Sequence, residues 1–366
     1  MSEFTTELAE TTAAIIEHVG ADADTPAEGM SGALWTQLAD GGFVTVGVPE
    51  TAGGGGAALG DALAVVTTAA RHGAVVPLVE HGILAAWLAA TAGHVLTSEI
   101  ATAAKGDAQC SVRRHGDNLL FDGTVTGVPY AADADTLVVI LPPNPGAGGS
   151  SVAVVAMSGS GADISAETDL IGVSYADIIF RDASVAFHGS SPVSATEFLQ
   201  RGALAYAAAT AAAAVAVQDH TVRYASERIQ FGRPIAKFQA VQQELAQLAA
   251  RTTMMEIAVD SAIAAHDDPE IGRLTTAAAK VVTAMSAHSV AAAGHQIHGA
   301  IGTTSEHSLG RFTTALWSWR DRFGSEQFWA EDLASRILDD GIDVWDVVTG
   351  TRADHDTAPT THRSPA

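Results

Sequence analysis

The stretch Tyr224 to Gln239, YASERIQFGRPIAKFQ, holds the densest set of side chains suited to gripping a charged ligand. Arg228 offers a planar, permanently charged fork of N–H donors, and Gln239 an amide that both donates and accepts. Gly232 and Pro234 interrupt the helical pattern between them, because glycine is flexible and proline has no N–H to donate. The segment reads as helix, sharp loop, helix. Arg228 falls on the last turn before the loop and Gln239 on the first turn after it. An Arg and a Gln on facing helix ends suit an anionic, hydrogen-bonding ligand such as a dinucleotide. The same spacing also describes an ordinary helical hairpin with solvated charges.

Other chemistry-bearing groups are fewer. Arg223, Arg233, Lys237 and Arg251 crowd around Arg228, and Arg311, Arg320 and Arg322 form a second basic group. The chain as a whole carries a formal charge of −23. That charge opposes nucleic-acid binding and adhesion to anionic membranes, so any nucleotide site must be locally basic. The basic groups fit a diphosphate site, and equally salt bridges on an acidic surface. The run Gly53–Gly56 lacks the GxGxxG spacing and has no Lys-Ser/Thr pair after it, so it reads as a tight turn. His295, His298 and His307 have no Cys or well-placed carboxylate to complete a metal site and read as a helix-end cluster. Cys110 is the only cysteine, which excludes an intrachain disulfide and a cysteine-based metal cluster.

The elements that must position these groups are mainly helical. The chain has 366 residues, 47% of them hydrophobic, enough for two or three domains. Up to about Lys105 it reads as helices separated by Gly-rich turns. Leu34, Trp35 and Leu38 share one helical face, Asp40-Gly41-Gly42 stops that helix, and residues 61–70 and 81–91 form the next ones. Between about Gly106 and Val193, short β-prone runs (Leu119–Phe121, Val125–Thr126, Thr136–Leu141, Val152–Met157, Ile178–Phe180) predict a small antiparallel barrel or sandwich. From Thr196 onward the pattern is helical again. Gly202–Ala225 is dense in Ala. Val241, Leu245, Leu248, Thr252, Met255 and Val259 recur at alternating spacings of four and three, the seam of a four-helix bundle. Asp268 and Pro269 form an N-cap and first-turn pair, and Leu274, Ala278, Val281 and Met285 share a face of the following helix. The expected fold class is α+β, mainly α: an N-terminal helical domain (1–105), a middle β domain (106–195), a C-terminal four-helix bundle (196–350) and a disordered tail (351–366). No transmembrane run is visible. The acidic N-terminus (Glu3, Glu7, Glu10) has no signal-peptide pattern, which suits a soluble cytoplasmic protein.

Tyr-Ala-x-Glu-Arg-x-x-Phe-Gly followed by Phe-Gln resembles the helix-loop-helix signature of the acyl-CoA dehydrogenase flavoproteins. The helix–β–helix order is similar to that family's three-part architecture. Val48-Pro49-Glu50 before the glycine run resembles its N-terminal landmark, and Asp117–Asp135 its strand pair. The resemblance implies an FAD held across a subunit interface, with Arg228, Phe231 and Gln239, and Phe238 beside Gln239, near its ADP half. Gln296–Gly302 (QIHGAIG) resembles the family's Gln-x-x-Gly-Gly-x-Gly, with Ala300 in place of the second glycine. That adds Gln296 and Gly299, with His298 near the pyrophosphate. Ser325 matches a Thr that touches the flavin side, and it also suits an N-cap for the helix through Phe328, Leu333 and Ile337.

Departures from the family pattern bear on the chemistry. The Thr-Glu-Pro-x-x-Gly-Ser-Asp segment that lies along the flavin is absent upstream of Cys110, and Trp-Ile-Thr-Asn is replaced around Val125–Tyr130. The family removes the substrate α-proton with a carboxylate. One usual place for it, Tyr-Glu-Gly-Thr, reads Arg322-Phe323-Gly324-Ser325, so Phe323 occupies the Glu position. The other usual place aligns with Gln200–Gly202. Glu197 reaches it only after a shift of one helical turn, and Glu326 lies on the wrong side of Gly324. Nucleotide-facing groups without a base resemble the partner subunits of heteromeric actinobacterial acyl-CoA dehydrogenases. Those are heterotetramers of two plus two chains acting on CoA thioesters of sterol side chains and similar bulky acids. The resemblance thus implies an acyl-CoA substrate and a second acyl-CoA dehydrogenase chain as partner. Two alternatives stand beside it: a self-sufficient homotetramer with its base elsewhere, as at Glu197, and a flavin-free scaffold subunit.

Overall fold

Serine hydroxyls start several of the helices, each accepting a hydrogen bond from a backbone N–H that the helix itself leaves unmet. α1 (Glu3–Val19) begins this way at Ser2, α2 (Gly32–Asp40) at Ser31. The computed structural model describes residues 2–20, 29–97, 99–142, 149–159, 161–304, 306–339, 341 and 343–345. α2 buries Leu34, Trp35 and Leu38, as their spacing requires, and α3 (Leu59–Arg71) packs on α1. Residues Val79–Ala86 wind as a π-helix that continues into α4 (Trp87–Thr91). Gly82 sits in that π-helix so close to the Val44 carbonyl oxygen that a Cβ would collide with it. The tail expected over residues 351–366 lies outside the described residues.

The strand layer comprises β1 (Ala101–Lys105), β2 (Ser111–His115), β3 (Asn118–Pro129), β4 (Thr136–Leu141), β5 (Ser150–Ala156), β6 (Ala162–Thr168) and β7 (Ser174–Ser191). Their order is β1-β4-β5-β7-β3-β2, and β6 also pairs with β7. β7 is 18 residues long and serves both halves, pairing with β3 and β6 through its first part and with β5 through its second. Phe121 and Phe180 meet edge to face at 5.2 Å inside this layer. One departure from an all-antiparallel arrangement appears: β1 runs parallel to β4, with Ala101 opposite Thr136. β1 also precedes the expected start at Gly106, because ATAAK has neither an aromatic nor a run of β-branched residues to mark it.

The C-terminal part is built on α5 (Ala195–Glu227), whose N-cap is Ser194. A two-stranded hairpin, β8 (Ile229–Gln230) and β9 (Arg233–Pro234), follows. Then come α6 (Gln239–Ala265), α7 (Ile271–His298), α8 (Leu309–Trp319) and α9 (Glu326–Leu338). α3, α6, α7 and α8 all pack on α5, so Ala203–Val217 is buried on nearly every face. Only small side chains let that many helices approach one axis. The α6 seam holds at Leu248, Thr252, Met255 and Val259, while Val241 and Leu245 are half-buried. On α7 the expected face is displaced: Met285 is 52% exposed. The buried stripe includes Ala277, Ala284, Ala287 and Ala291, where the neighbouring helices leave room for little beyond a methyl group, and Lys280, whose long side chain reaches the Trp319 and Arg320 carbonyls. α7 starts at Ile271 rather than at Pro269, yet the Asp268 carboxylate still accepts from the N–H groups of Glu270 (2.9 Å) and Ile271 (3.0 Å). Among the described residues no helix is long and apolar enough to cross a membrane.

Candidate functional site

The Tyr224 ring of α5 stacks on His298 of α7, with centroids 4.4 Å apart. This contact sets the C-terminal ends of α5 and α7 side by side, at the end of the bundle where α6 begins. Arg228 is not on the last turn of α5 but is its C-cap, donating its N–H to the Tyr224 carbonyl (2.8 Å) and accepting from Ile235 N (2.8 Å). The loop beyond is a tight hairpin whose two turn residues, Phe231 and Gly232, both have positive φ (52° and 78°). Glycine meets that requirement freely, whereas a phenylalanine there stores about 1 kcal/mol of strain. The turn holds the Phe231 side chain 92% exposed. Phe238 lies edge-on to it at 6.1 Å, and the Arg233 guanidinium covers the Phe238 ring at 4.3 Å.

Gln239 is the first residue of α6; Gln296 is in the last turn of α7, and Gly299 (φ 63°) caps that helix. Arg228, Gln239, Gln296 and Gly299 are all exposed. The side chains of Arg228, Gln239 and Gln296 have no hydrogen-bonding or ionic partner among the described residues. His298 is different: it is 3% exposed, its Nδ1 lies 2.8 Å from the Gly294 carbonyl, and burial pushes its pKa down. It packs beneath this surface, with His307 at 4.7 Å. Burial, with the neighbouring Arg223 cation, holds His220 down to about 4. Among the described residues no group of three His, Cys, Asp or Glu side chains is placed to hold a metal.

The second half of the candidate site is a cavity of about 570 Å³ where the end of β1, β3, the first turn of α5 and the α8–α9 turn meet. Phe323 lines it, with φ 55°, stacked on Tyr206 at 5.8 Å and edge-on to Phe198 at 5.8 Å. The residue aligned with a carboxylate therefore does face a cavity, as a phenyl ring. Ser325 caps α9, accepting from Phe328 N at 3.3 Å. Glu197 and Gln200 line a different cavity of about 830 Å³, together with Trp87 and Arg201. There Arg201 donates to the Ile83 carbonyl (2.8 Å) and covers the Trp87 ring at 4.2 Å, and burial lowers its pKa to about 10. Glu326 stands 3.9 Å from Arg320.

Behind Phe323 is an ionic network that no local sequence pattern marks. Glu80, on the π-helix, is 1% exposed and accepts a hydrogen bond from the Tyr206 hydroxyl. Arg322 is 6% exposed; it donates to the Tyr206 oxygen (2.7 Å) and to Asp169 (2.5 Å), with Glu80 at 3.6 Å. Burial raises the Glu80 carboxyl pKa, against the opposing pull of Arg322. Arg322 itself stays charged, because Tyr206 and Glu80 outweigh its own burial. Glu80 lines a small cavity with Tyr130, Tyr206 and Trp319 and does not line the larger one. The signal in the sequence was a lone acid in the apolar run Leu78–Leu88: such a group, when buried, needs a partner.

A helical N-terminal part, a seven-stranded layer and a bundle carrying an arginine–glutamine surface at one end make up an acyl-CoA dehydrogenase-like fold. Residues 193–338 match the acyl-CoA dehydrogenase C-terminal domain family. The acyl-CoA dehydrogenase FadE27 of Mycobacterium tuberculosis is 29% identical over 322 residues, 77% of this chain and 82% of that one. The ChsE4-ChsE5 complex from Mycobacterium tuberculosis contains a chain of the same fold, with TM-score 0.81 and 23% identity over 92% of this chain and 98% of that one. The Tcur3481-Tcur3483 steroid ACAD variant aligns with TM-score 0.77 and 22% identity over 92% and 98%.

Proposed function

We propose that this chain is the partner subunit of a heteromeric, FAD-dependent acyl-CoA dehydrogenase, completing the adenosine-diphosphate pocket of a flavin whose reactive end lies on a second chain. The observation that carries this reading is a pairing. Arg228, Gln239 and Gln296 stand exposed and unpartnered at one bundle end, while Phe323 fills the position aligned with the carboxylate. The unpartnered donors fit a diphosphate: Arg228 would hold its oxygens, Gln239 and Gln296 would hydrogen-bond its flanks, and Phe231 and Phe238 would offer ring faces to the adenine. FAD, when bound, supplies the hydride acceptor for forming an α,β double bond in an acyl-CoA. Within this chain's own cavity, Phe323 is part of the lining, and a phenyl ring has no lone pair for a substrate proton. The likeness to chains named for two-component and steroid complexes supports a bulky acyl group and a second acyl-CoA dehydrogenase chain as partner.

Purifying the chain alone and after co-expression with an acyl-CoA dehydrogenase chain of complementary type tests the reading. The lone chain is expected to be colourless, and the complex yellow and able to reduce an electron acceptor with acyl-CoA. Arg228→Ala and Gln296→Ala together should cut flavin content at least tenfold without dissolving the complex. A lone chain that is yellow and active ends the proposal. A complex that keeps its flavin in the double variant replaces it with a scaffold role.

A further inference from the structure

Lys280 sits on the buried face of α7, 1% exposed, and its Nζ donates to two carbonyls at the end of α8, Trp319 (3.3 Å) and Arg320 (2.9 Å). An ammonium has three N–H groups and a full charge, whereas a neutral amine has two N–H groups and no charge. Two acceptors stand within reach, so the neutral form is satisfied and the charged form leaves a buried donor unmet. Nor is there an anion to hold the charge. Among the described residues no carboxylate forms an ion pair with Lys280. Asp321 is the acid that acts on it, but its side chain is 59% exposed and lies 3.5 Å from Arg320. Arg320 and Arg322, on the same turn, repel a third positive charge. On α9, Glu326 stands 3.9 Å from Arg320 and Asp332 pairs with Arg273, and no titratable group of α5 or α6 bears on Lys280. Burial above all, helped by the two arginines, pushes its pKa down from 10.5 to about 7. The carbonyls that Lys280 holds lead into the α8–α9 turn, where Arg322 donates to Tyr206 and Asp169 and Phe323 takes a positive φ of 55°. Another anchor of this turn, the Trp329 indole N–H on the Phe323 carbonyl (2.9 Å), does not titrate.

We infer that Lys280 is a buried neutral amine and that the α8–α9 turn is a pH-gated hinge, which opens as Lys280 takes up a proton. A lifted turn exposes the amine to water, where it holds a proton up to about 10.5. Between about 7 and 10.5 the open form therefore binds one proton more than the closed form, and acid favours opening. Below about 7 both forms are protonated and the dependence ends. An open turn draws Arg322 away from Asp169, which lies between β6 and β7, and so loosens the bundle from the strand layer.

The test uses the full chain labelled with lysine that carries carbon-13 at Cε. The sequence has three lysines, and Lys105 and Lys237 are exposed, so the nuclear magnetic resonance signal lost in Lys280→Gln belongs to Lys280. That signal is expected to titrate with a midpoint below about 9; a midpoint at or above it makes Lys280 an ordinary ammonium and overturns the inference. Hydrogen exchange at the amides of residues 320–324, corrected for its intrinsic pH dependence, reports the hinge. Their protection should fall about tenfold per unit as pH is lowered from about 9 to about 7.5, the slope of one proton taken up. In Lys280→Gln, a neutral amide that keeps two N–H donors, the slope should vanish. Circular dichroism checks that the variant is folded. A flat wild-type profile, or an equal slope in the variant, overturns the hinge. Should the variant fail to fold, Lys105→Arg and Lys237→Arg assign the Lys280 signal by exclusion, and its midpoint with the wild-type slope decides.

Discussion

His81 shows what burial does to a titrating side chain in this chain. It is 5% exposed, its Nδ1 accepts the Ala101 N–H at 3.1 Å, and burial lowers its pKa from 6.5 to about 4. Between those two values the unfolded chain binds more protons than the folded one, so stability is lost as pH falls from 6.5 towards 4. The full effect is about 3 kcal/mol. His220, also held down to about 4, acts with the same sign, whereas Glu80, raised by burial, gives stability that is lost as pH rises. His81→Gln keeps an acceptor for Ala101 and cannot titrate. Its urea midpoint is expected to fall less steeply than wild type's over that window; an unchanged slope would remove His81 from the account. The sequence shows His81 and Glu80 only as two polar letters in an apolar run. Their partners Ala101, Asp169, Tyr206 and Arg322 come from four distant places, which no local pattern can bring together.

At the scale of the element, the π-helix is the tightest fit. A methyl group at Gly82 would strike the Val44 carbonyl, so Gly82→Ala is expected to lower stability by about 1–3 kcal/mol. Gly310, in the first turn of α8, has open space around it, and Gly310→Ala should instead add about 0.5 kcal/mol. Thermal melts of the two variants should therefore move in opposite directions. Helices with large apolar residues on one side were legible: α2 through Leu34, Trp35 and Leu38, and most of α6 through its four-and-three seam. α7 was not, because its buried stripe is alanine with Lys280, whose side-chain nitrogen donates to the Trp319 (3.3 Å) and Arg320 (2.9 Å) carbonyls at the end of α8. Counting large apolar side chains picks out Met285, which faces outward. β1 escaped notice for the same reason, since an alanine strand reads like an alanine helix. In the candidate site, Arg228, Phe231 and Gln239 were marked by a motif and are exposed together, while the depth of His298 depends on Tyr224, more than seventy positions away.

For the molecule as a whole, a charge of −23 sets the terms of association: two copies repel unless apolar contact offsets it. The outer faces of α6 and α7 carry such contact surface in Met254, Ile257 (62% exposed) and Met285. Ile257→Arg is expected to leave the helical circular dichroism unchanged and to lower the native mass of the assembled protein. A variant with wild-type mass would place the contact surface elsewhere.

The grouping of one guanidinium with two acids behind Phe323 also bears on which replacements the chain can absorb. Placing a carboxylate at position 323 would set a third acid next to Arg322, and removing Arg322 first would strand Glu80 and Asp169, at a cost of several kcal/mol. Neither single step is easily tolerated, so an acid at that position requires at least two coordinated replacements. In this corner of the fold, no charge can be changed without its neighbours.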